Sequence, residues 1–417
     1  MKDKLKVGVI GIGRGGSMIR YCATAADHAE LVAICDKWEP GLERMKSQYG
    51  DKIAFYTDYD EFLKHDMDVV VLANYATEHA PFAIKAMKAG KHVISEVMPV
   101  QCMAEAVELL ETVEQTGMQY CYLENYCYMP APREMRRLYR AGKLGELEYA
   151  EAEYIHNVEP MWASITYGER DHWRNHMFTT FYCTHSIGPL VHITGLRPVK
   201  VSGFELPFNA RCAREGCMTG SLGIEMMTME NGSIARSTHR QLAKTSLWYS
   251  LYGTKGHAES ARDIVERDGV CKIYTDLDRE VANYSDPTNA EHKCYVPSDE
   301  MSERANSFGH DGSDFYSMYN AIEWIRGNRS EDIDIIDVYE ALDMFLPGMF
   351  AFFSILENGK SMDIPDLRNK ALREQYRNDR RCTDPKVAGD QLLPCNAKGN
   401  PDIPEEVYAE MRKRFGR

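Results

Sequence analysis

Twelve cysteines are scattered through the 417 residues, yet none forms a C-x-x-C pair or joins a Cys/His ladder. That absence speaks against a zinc site and, without a signal peptide, against a disulfide framework. The amino terminus, MKDKLKVGVIGIGRGG, has only a short apolar run that stops at glycines, too short for a secretion signal. No stretch reaches the ~18 consecutive apolar residues of a membrane span. Basic charge is in deficit, with 49 Lys and Arg against 63 Asp and Glu, a net −14 that repels nucleic acid and anionic membrane. Low-complexity tracts and internal repeats are missing as well. The expectation is a cytoplasmic protein with no nucleic-acid, membrane or metal partner.

What remains is globular: 44% hydrophobic and 27% charged residues, in a chain long enough for two or three domains of roughly 100 to 200 residues. Lys6 to Ile10 is a β-branched run ending in Gly11-Ile12-Gly13-Arg14-Gly15-Gly16, with a helical stretch from Ser17 to Ala25. Further apolar strands are predicted at Leu31 to Cys35, Asp68 to Leu72, His92 to Ser95 and Gln119 to Tyr122. Helical patterns at Glu39 to Tyr49, His79 to Ala89 and Ala104 to Thr116 separate them, the alternation of a parallel sheet covered on both faces. After the helix-like Arg133 to Ala141 the texture becomes period-two: Leu147 to Ile155, Val199 to Leu206, Leu222 to Met229, Ser233 to Thr238 and Ser246 to Tyr252 read as antiparallel strands. Helices are predicted at Phe181 to Thr194, Asp314 to Gly327, Ile336 to Asn358 and Pro404 to Phe415. The fold class is therefore α/β: an N-terminal Rossmann dinucleotide-binding domain (1–128), then an α+β substrate and oligomerisation domain on a large, mostly antiparallel open sheet (129–366). A C-terminal extension (367–417) is expected to pack on the surface.

Gly11, Gly13 and Gly16 satisfy G-x-G-x-x-G, a weak pattern alone. Here it follows a strand, opens a helix, and is followed 20 residues after Gly16 by Asp36 at the end of the next strand. That acid is placed to bond an adenosine ribose and to repel a 2′-phosphate, which favours NAD over NADP. Backbone amides at the helix start would hold the pyrophosphate; the blander reading is a tight turn without a ligand.

With these residues in view the sequence resembles the Gfo/Idh/MocA family of nicotinamide-dependent sugar and inositol oxidoreductases, over about Lys4 to Asp366. Matching blocks are Thr57-Asp58-Tyr59, Val69-Val70-Val71-Leu72 with Thr77 and His79, Gly90-Lys91-His92-Val93 followed by Glu96 and Pro99, Gly253-Thr254-Lys255-Gly256, and Asp337-Val338-Tyr339-Glu340-Ala341. The ordinary dehydrogenases carry Glu-Lys-Pro where this chain has Glu96-Val97-Met98-Pro99, and valine cannot move a proton. An aspartate three residues before a histidine is replaced by Tyr182 before His185. Both departures are shared with the NAD-dependent glycosidases of glycoside hydrolase family 109. The chain is similar to these in Leu123-Glu124-Asn125 with Tyr128, Tyr154-Ile155-His156, Trp173-Arg174, Tyr182-x-x-His185-x-x-Gly188-Pro189 and His310-x-Gly312-x-Asp314-Phe315. A tyrosine of that group falls on Thr245 here, which bears on the substrate more than on the chemistry.

The resemblance implies a homo-oligomer with a small-molecule glycoside or sugar substrate. It implies that His185, with or without Tyr182, is the acid/base at the C3 hydroxyl, that Tyr154 is the base at C2, and that Glu124 assists aglycone departure and activates water. Tyr182 and His185, three apart on the predicted helix, would share one face. Taken singly, these four read equally as core tyrosines, a structural histidine and a buried carboxylate. Gly11, Gly13, Arg14, Gly16, Asp36, Asn74, His79, Glu96, Asn125, Trp173 and Arg174 are the residues expected at NAD. Arg240 and Lys244 could accept a sulfonated or carboxylated sugar or form a solvated basic edge. A plain sugar or inositol dehydrogenase and a non-catalytic NAD sensor are the alternatives.

Overall fold

The computed structural model describes residues 3–262, 272–278 and 290–415. Two compact units divide the chain, one comprising Met1–Tyr128, Asp299–Leu342 and Arg373–Asn378, the other Met129–Ser298, Asp343–Leu372 and Asp379–Arg417.

The first unit is built on a parallel six-stranded sheet of β1 (Leu5–Ile10), β2 (Ala29–Cys35), β3 (Ala54–Tyr56), β4 (Val69–Leu72), β5 (His92–Ser95) and β6 (Tyr120–Tyr122). Their spatial order is β3-β2-β1-β4-β5-β6, with the strand order reversing between β1 and β4, the switch point where dinucleotides bind in such sheets. Helices on both faces explain why Val69–Leu72 is buried throughout and reads as an unbroken apolar run. The late segment joins this unit through specific bonds. The Tyr122 amide donates to the Ile336 carbonyl at 2.8 Å, and Arg373, fully buried, makes two bonds to Glu114 at 3.0 and 2.7 Å.

The second unit holds a nine-stranded sheet: β7 (Leu147–Ile155), β8 (Pro198–Leu206), β9 (Leu222–Met229), β10 (Ile234–Arg240), β11 (Ser246–Gly253), β12 (Gly256–Ser260), β13 (Ile273–Asp278), β14 (Ala290–Tyr295) and β15 (Met362–Asp363), ordered β14-β13-β12-β11-β7-β10-β9-β8-β15. All pairs are antiparallel except β7 with β10, which run parallel. The completely buried helix face of Thr184–Thr194 packs on β7, β10 and β11. By register Tyr154 pairs with His239, and both lie on that covered face. The opposite face carries Phe204, Met226, Ile234 and Tyr252, all exposed.

Helix Val338–Leu356 has the length and mean hydropathy of a membrane span, against the sequence expectation that none would. Its apolar stretch is 83% buried within the protein, as befits a core helix interrupted by Glu340 and Asp343. In the C-terminal region Tyr408 is fully buried and donates to the Gly216 carbonyl at 2.9 Å.

Candidate functional site

In the first unit the glycine turn ends β1. Gly11 has φ +92°, and a Cβ there would lie 2.3 Å from the Ala73 carbonyl oxygen; one at Gly15 would lie 2.0 Å from the Gly11 oxygen. Only glycine fits either place, and Gly15 falls outside the three-glycine motif. At Gly13 and Gly16, by contrast, a Cβ would meet nothing within 4 Å. These two glycines leave open backbone where a pyrophosphate approaches, which fits the dinucleotide reading. Asp36 accepts from the Ile12 amide and from the Trp38 amide, both at 2.8 Å, so the acid that follows β2 also braces the turn.

Two polar groups beside β4 fit the same ligand. Asn74 donates to Glu78 at 2.9 Å while its Oδ1 is buried without a hydrogen-bond partner. His79 places Nδ1 3.0 Å from the Met98 carbonyl, so Nδ1 carries the proton and Nε2 is left as a buried acceptor with no partner. Burial pushes the His79 imidazole down to about 4, and the ring is neutral. The unfolded ring takes up a proton below its ordinary 6.5 whereas the folded one does not until about 4, so His79 draws stability out of the fold as pH falls through that window. The thermal midpoint should therefore drop on acidification from pH 6.5 to 4, and His79→Gln should lose less over the same range; equal losses would contradict this.

Arg14, expected at the cofactor, turns to carboxylates instead. It makes a two-pronged pair with Asp314 at 2.9 and 2.7 Å and reaches Glu96 at 2.8 Å. His310 adds a bond to Asp314 at 3.1 Å. Burial opposes ionisation of Asp314, but the hydrogen bonds from His310 and Arg14 hold it well below the usual carboxylate range. The His310-x-Gly312-x-Asp314 block thus fixes the glycine turn. Val97, in the place of the dehydrogenase lysine, is buried, and Glu124 and Asn125 are buried after β6, with Glu124 Oε1 accepting from the Tyr126 amide at 3.2 Å.

The second unit brings three of the four expected catalytic side chains together. Ring centroids of Tyr154 and His185 are 4.6 Å apart, those of Tyr182 and His185 5.0 Å, and those of Tyr154 and Tyr182 6.2 Å. Tyr182 is not on the helix with His185, as the spacing predicted; the helix begins at Thr184, and Tyr182 lies in the preceding turn. Proximity comes from the turn, not from a helical face. Tyr249 donates to the His185 carbonyl at 2.6 Å and anchors the helix start. Arg174 lies 4.4 Å over Trp173 and 5.3 Å over Tyr182, so both residues expected at NAD stand beside the aromatic cluster. His172 Nδ1 accepts from the Arg174 amide at 3.3 Å, and burial together with Arg174 and His176 lowers its ring to about 3, keeping it neutral.

Sequence reasoning assigned no role to His156, whose Nδ1 sits 3.1 Å from the Tyr154 hydroxyl. The Tyr-x-His spacing on a strand was the available signal, since residues two apart share a face. Thr245 serves the backbone, its hydroxyl accepting from the Asn157 amide at 3.1 Å. Arg240 is no basic edge. It is buried, donating to the Gly220 carbonyl at 2.6 Å and to Cys217 Sγ at 3.1 Å, while Lys244 is exposed.

Residues 5–123 match the Gfo/Idh/MocA family, described as "Oxidoreductase family, NAD-binding Rossmann fold". The N-terminal domain thus carries the sequence pattern of an NAD-binding Rossmann fold. Its cofactor is NAD. Over the longer chain, this protein is 26% identical across 401 residues to a glycosyl hydrolase family 109 protein of Solibacter usitatus, covering 87% of this chain and 88% of the relative. It is 27% identical across 403 residues to a glycosyl hydrolase family 109 protein 2 of Shewanella sp. strain ANA-3, covering 87% and 85%. Among solved structures, scyllo-inositol dehydrogenase from Lactobacillus casei with bound NAD(H) and scyllo-inositol aligns with a TM-score of 0.66 at 17% identity, covering 87% of this chain and 99% of that one. An oxidoreductase domain protein from Kribbella flavida aligns with a TM-score of 0.70 at 18% identity, with 87% and 99% coverage. The fold of this chain is thus shared with these enzymes.

For the Rossmann half, Asp36→Ala should weaken NAD binding about tenfold and let NADP compete, since the variant loses a ribose partner and the repulsion of a 2′-phosphate. Titration of both cofactors checks this; unchanged affinity and selectivity would show that Asp36 only braces the turn.

Proposed function

We propose that this protein is an NAD-dependent glycosidase that works by oxidation at C3, deprotonation at C2, elimination of the aglycone, addition of water and re-reduction. The observation that carries the reading is the close set of Tyr154, Tyr182 and His185, in a chain whose dehydrogenase lysine position is Val97. The family 109 names of its relatives agree with it.

NAD, when bound at the glycine turn, would supply the hydride acceptor for C3 and the hydride for its re-reduction. Gly13 and Gly16 would lie against the pyrophosphate, Asp36 at the ribose, and Asn74 and His79 offer their buried acceptors to it. His185 takes the proton of the C3 hydroxyl as that carbon becomes a ketone, with Tyr182 flanking its ring. The ketone makes the neighbouring C2 hydrogen acidic, and Tyr154 removes it. A phenol acts as a base only after losing its own proton, and His156 is placed to accept that proton. Electrons of the resulting enolate expel the group at C1. Glu124 protonates the leaving oxygen and then takes a proton from the water that adds to the enone, so one carboxylate serves where direct displacement needs two. Reduction at C3, with His185 returning its proton, closes a redox-neutral cycle.

A panel of aryl glycosides of both anomeric forms, assayed with and without NAD, tests the reading. Aglycone release that needs bound NAD and leaves no net NADH is expected. Stoichiometric NADH from a free sugar or inositol, with no aglycone, would instead establish a dehydrogenase. Exposed Phe204, Met226, Ile234 and Tyr252 on one face of the nine-stranded sheet further support pairing of two copies, which light scattering on the purified protein checks.

A further inference from the structure

The second unit contains a cavity of about 670 Å³ that the proposed chemistry does not use. Its size lies within the range of small-molecule sites. One wall is the short helix Trp162–Thr166, and another is the C-terminal helix Glu405–Phe415, which contributes Glu406, Val407, Glu410 and Met411. Asn157 and Glu159, on the chain leaving β7, complete the mouth.

At the base of this cavity sits Glu215, 2% exposed. One of its oxygens accepts from the Gln241 side-chain amide; the other, Oε1, is buried with no hydrogen-bond partner. Such an oxygen is stripped of water with nothing in return, a loss that a ligand hydroxyl would recover. Burial raises the Glu215 carboxyl to about 7, so it is available near neutrality as donor or acceptor.

The lining selects the ligand's chemistry. Four acids, Glu159, Glu215, Glu406 and Glu410, face two arginines, Arg214 and Arg414, and Glu159 is already paired with Arg211 and Arg214. Both arginines of the lining are already held by carboxylates, Arg214 by Glu159 and Arg414 by Glu410 at 3.2 Å, so neither is left to meet a phosphorylated or carboxylated ligand. Apolar Trp162, Pro160 and Met411 alternate with these acceptors, a combination suited to a ring with one apolar face and hydroxyl groups at its edge. The cavity also connects to the catalytic strand. Gln241, which holds Glu215, follows Arg240, whose carbonyl accepts the His156 amide at 2.7 Å, and His156 contacts the Tyr154 hydroxyl.

We infer that this cavity is a subsite for a neutral pyranose, the sugar that serves as aglycone of a disaccharide substrate. The aglycone assignment rests on the glycosidase reading; the sugar site itself does not. Saturation-transfer NMR on the full NAD-loaded protein with D-glucose, D-galactose and their 2-acetamido forms reports binding without turnover. A signal that survives His185→Ala and disappears both in Glu215→Leu and in Glu406→Ala/Glu410→Ala, whose two positions are exposed on the last helix, is expected. Loss in His185→Ala with retention in the double variant would confine the sugar to the aromatic cluster and overturn the subsite, as would no signal with any of the four sugars. For the aglycone role, the glycone found with the aryl panel is presented on p-nitrophenol and on a second pyranose. The disaccharide-to-aryl ratio of kcat/KM should fall about tenfold in the double variant. An unchanged ratio with both substrates cleaved overturns the role, whereas sugar bound in the cavity with neither substrate cleaved is a failure of the glycosidase reading alone.

Discussion

His185→Ala should lower aglycone release by about 10³-fold and suppress reduction of bound NAD on mixing with substrate, because the variant lacks the group that in the proposed cycle takes the C3 hydroxyl proton. Tyr154→Phe should lower release by a similar factor and yet still reduce bound NAD, since its missing hydroxyl acts one step later at C2. The phenyl ring keeps the 4.6 Å contact with the imidazole, so packing is preserved. Stopped-flow absorbance of the nicotinamide separates the two. His156→Ala should resemble Tyr154→Phe in that trace if the 3.1 Å contact carries the phenol's proton. Failure of both the His185 and Tyr154 variants at the same step would refute separate roles.

The second large effect is a contrast between two glycines of the same turn. Gly13→Val should leave the apoprotein's thermal midpoint near that of the wild type, because a Cβ there meets no atom within 4 Å, and should weaken NAD binding about 100-fold by filling the approach of the pyrophosphate. Gly11→Ala should act the other way round, destabilising the fold by about 3 kcal/mol, because its Cβ collides with the Ala73 carbonyl at 2.3 Å and φ is +92°. Isothermal titration and thermal unfolding on each variant decide the matter. A Gly13 variant that binds NAD normally would remove the cofactor from the glycine turn.

Both glycines were legible because a short β-branched strand, a glycine turn and an acid at the next strand end are local signals. The buried parallel strands were legible for the same reason: Val69–Leu72 has no polar residue to obscure it. Very short strands and strands of mixed composition were not. Ala54–Tyr56 is three residues long, and Gly256–Ser260 and Ala290–Tyr295 mix charged with apolar positions, so neither length nor alternation marks them. The return of Asp299–Leu342 to the first unit depends on bonds far apart in sequence, such as Arg14 with Asp314, which no periodicity encodes. At the site, Tyr182 was placed on a helix because Phe181 to Thr194 has a helical pattern throughout, whereas the chain turns before Thr184. Arg240 looked like a surface cation; its burial against Gly220 and Cys217 is a tertiary fact. Glu215 carried no sequence signal at all, since a lone glutamate becomes notable only when an oxygen is found buried and unpaired.

The elimination route and a direct displacement leave different isotopic records in the sugar. Turnover in heavy water, on whichever glycoside the aryl panel identifies, should place deuterium at C2 of the product, because in the proposed cycle Tyr154 removes that hydrogen and a proton exchangeable with solvent returns there. A phenol shielded from solvent could hand back the original hydrogen, so the rate with C2-deuterated substrate is measured in the same experiment and should show a primary isotope effect. Deuterium at C2, or a primary effect without it, is what the account predicts. Cleavage with neither signal would mean that the C2 bond is never broken, and would contradict the account even with glycosidase activity and bound NAD both established.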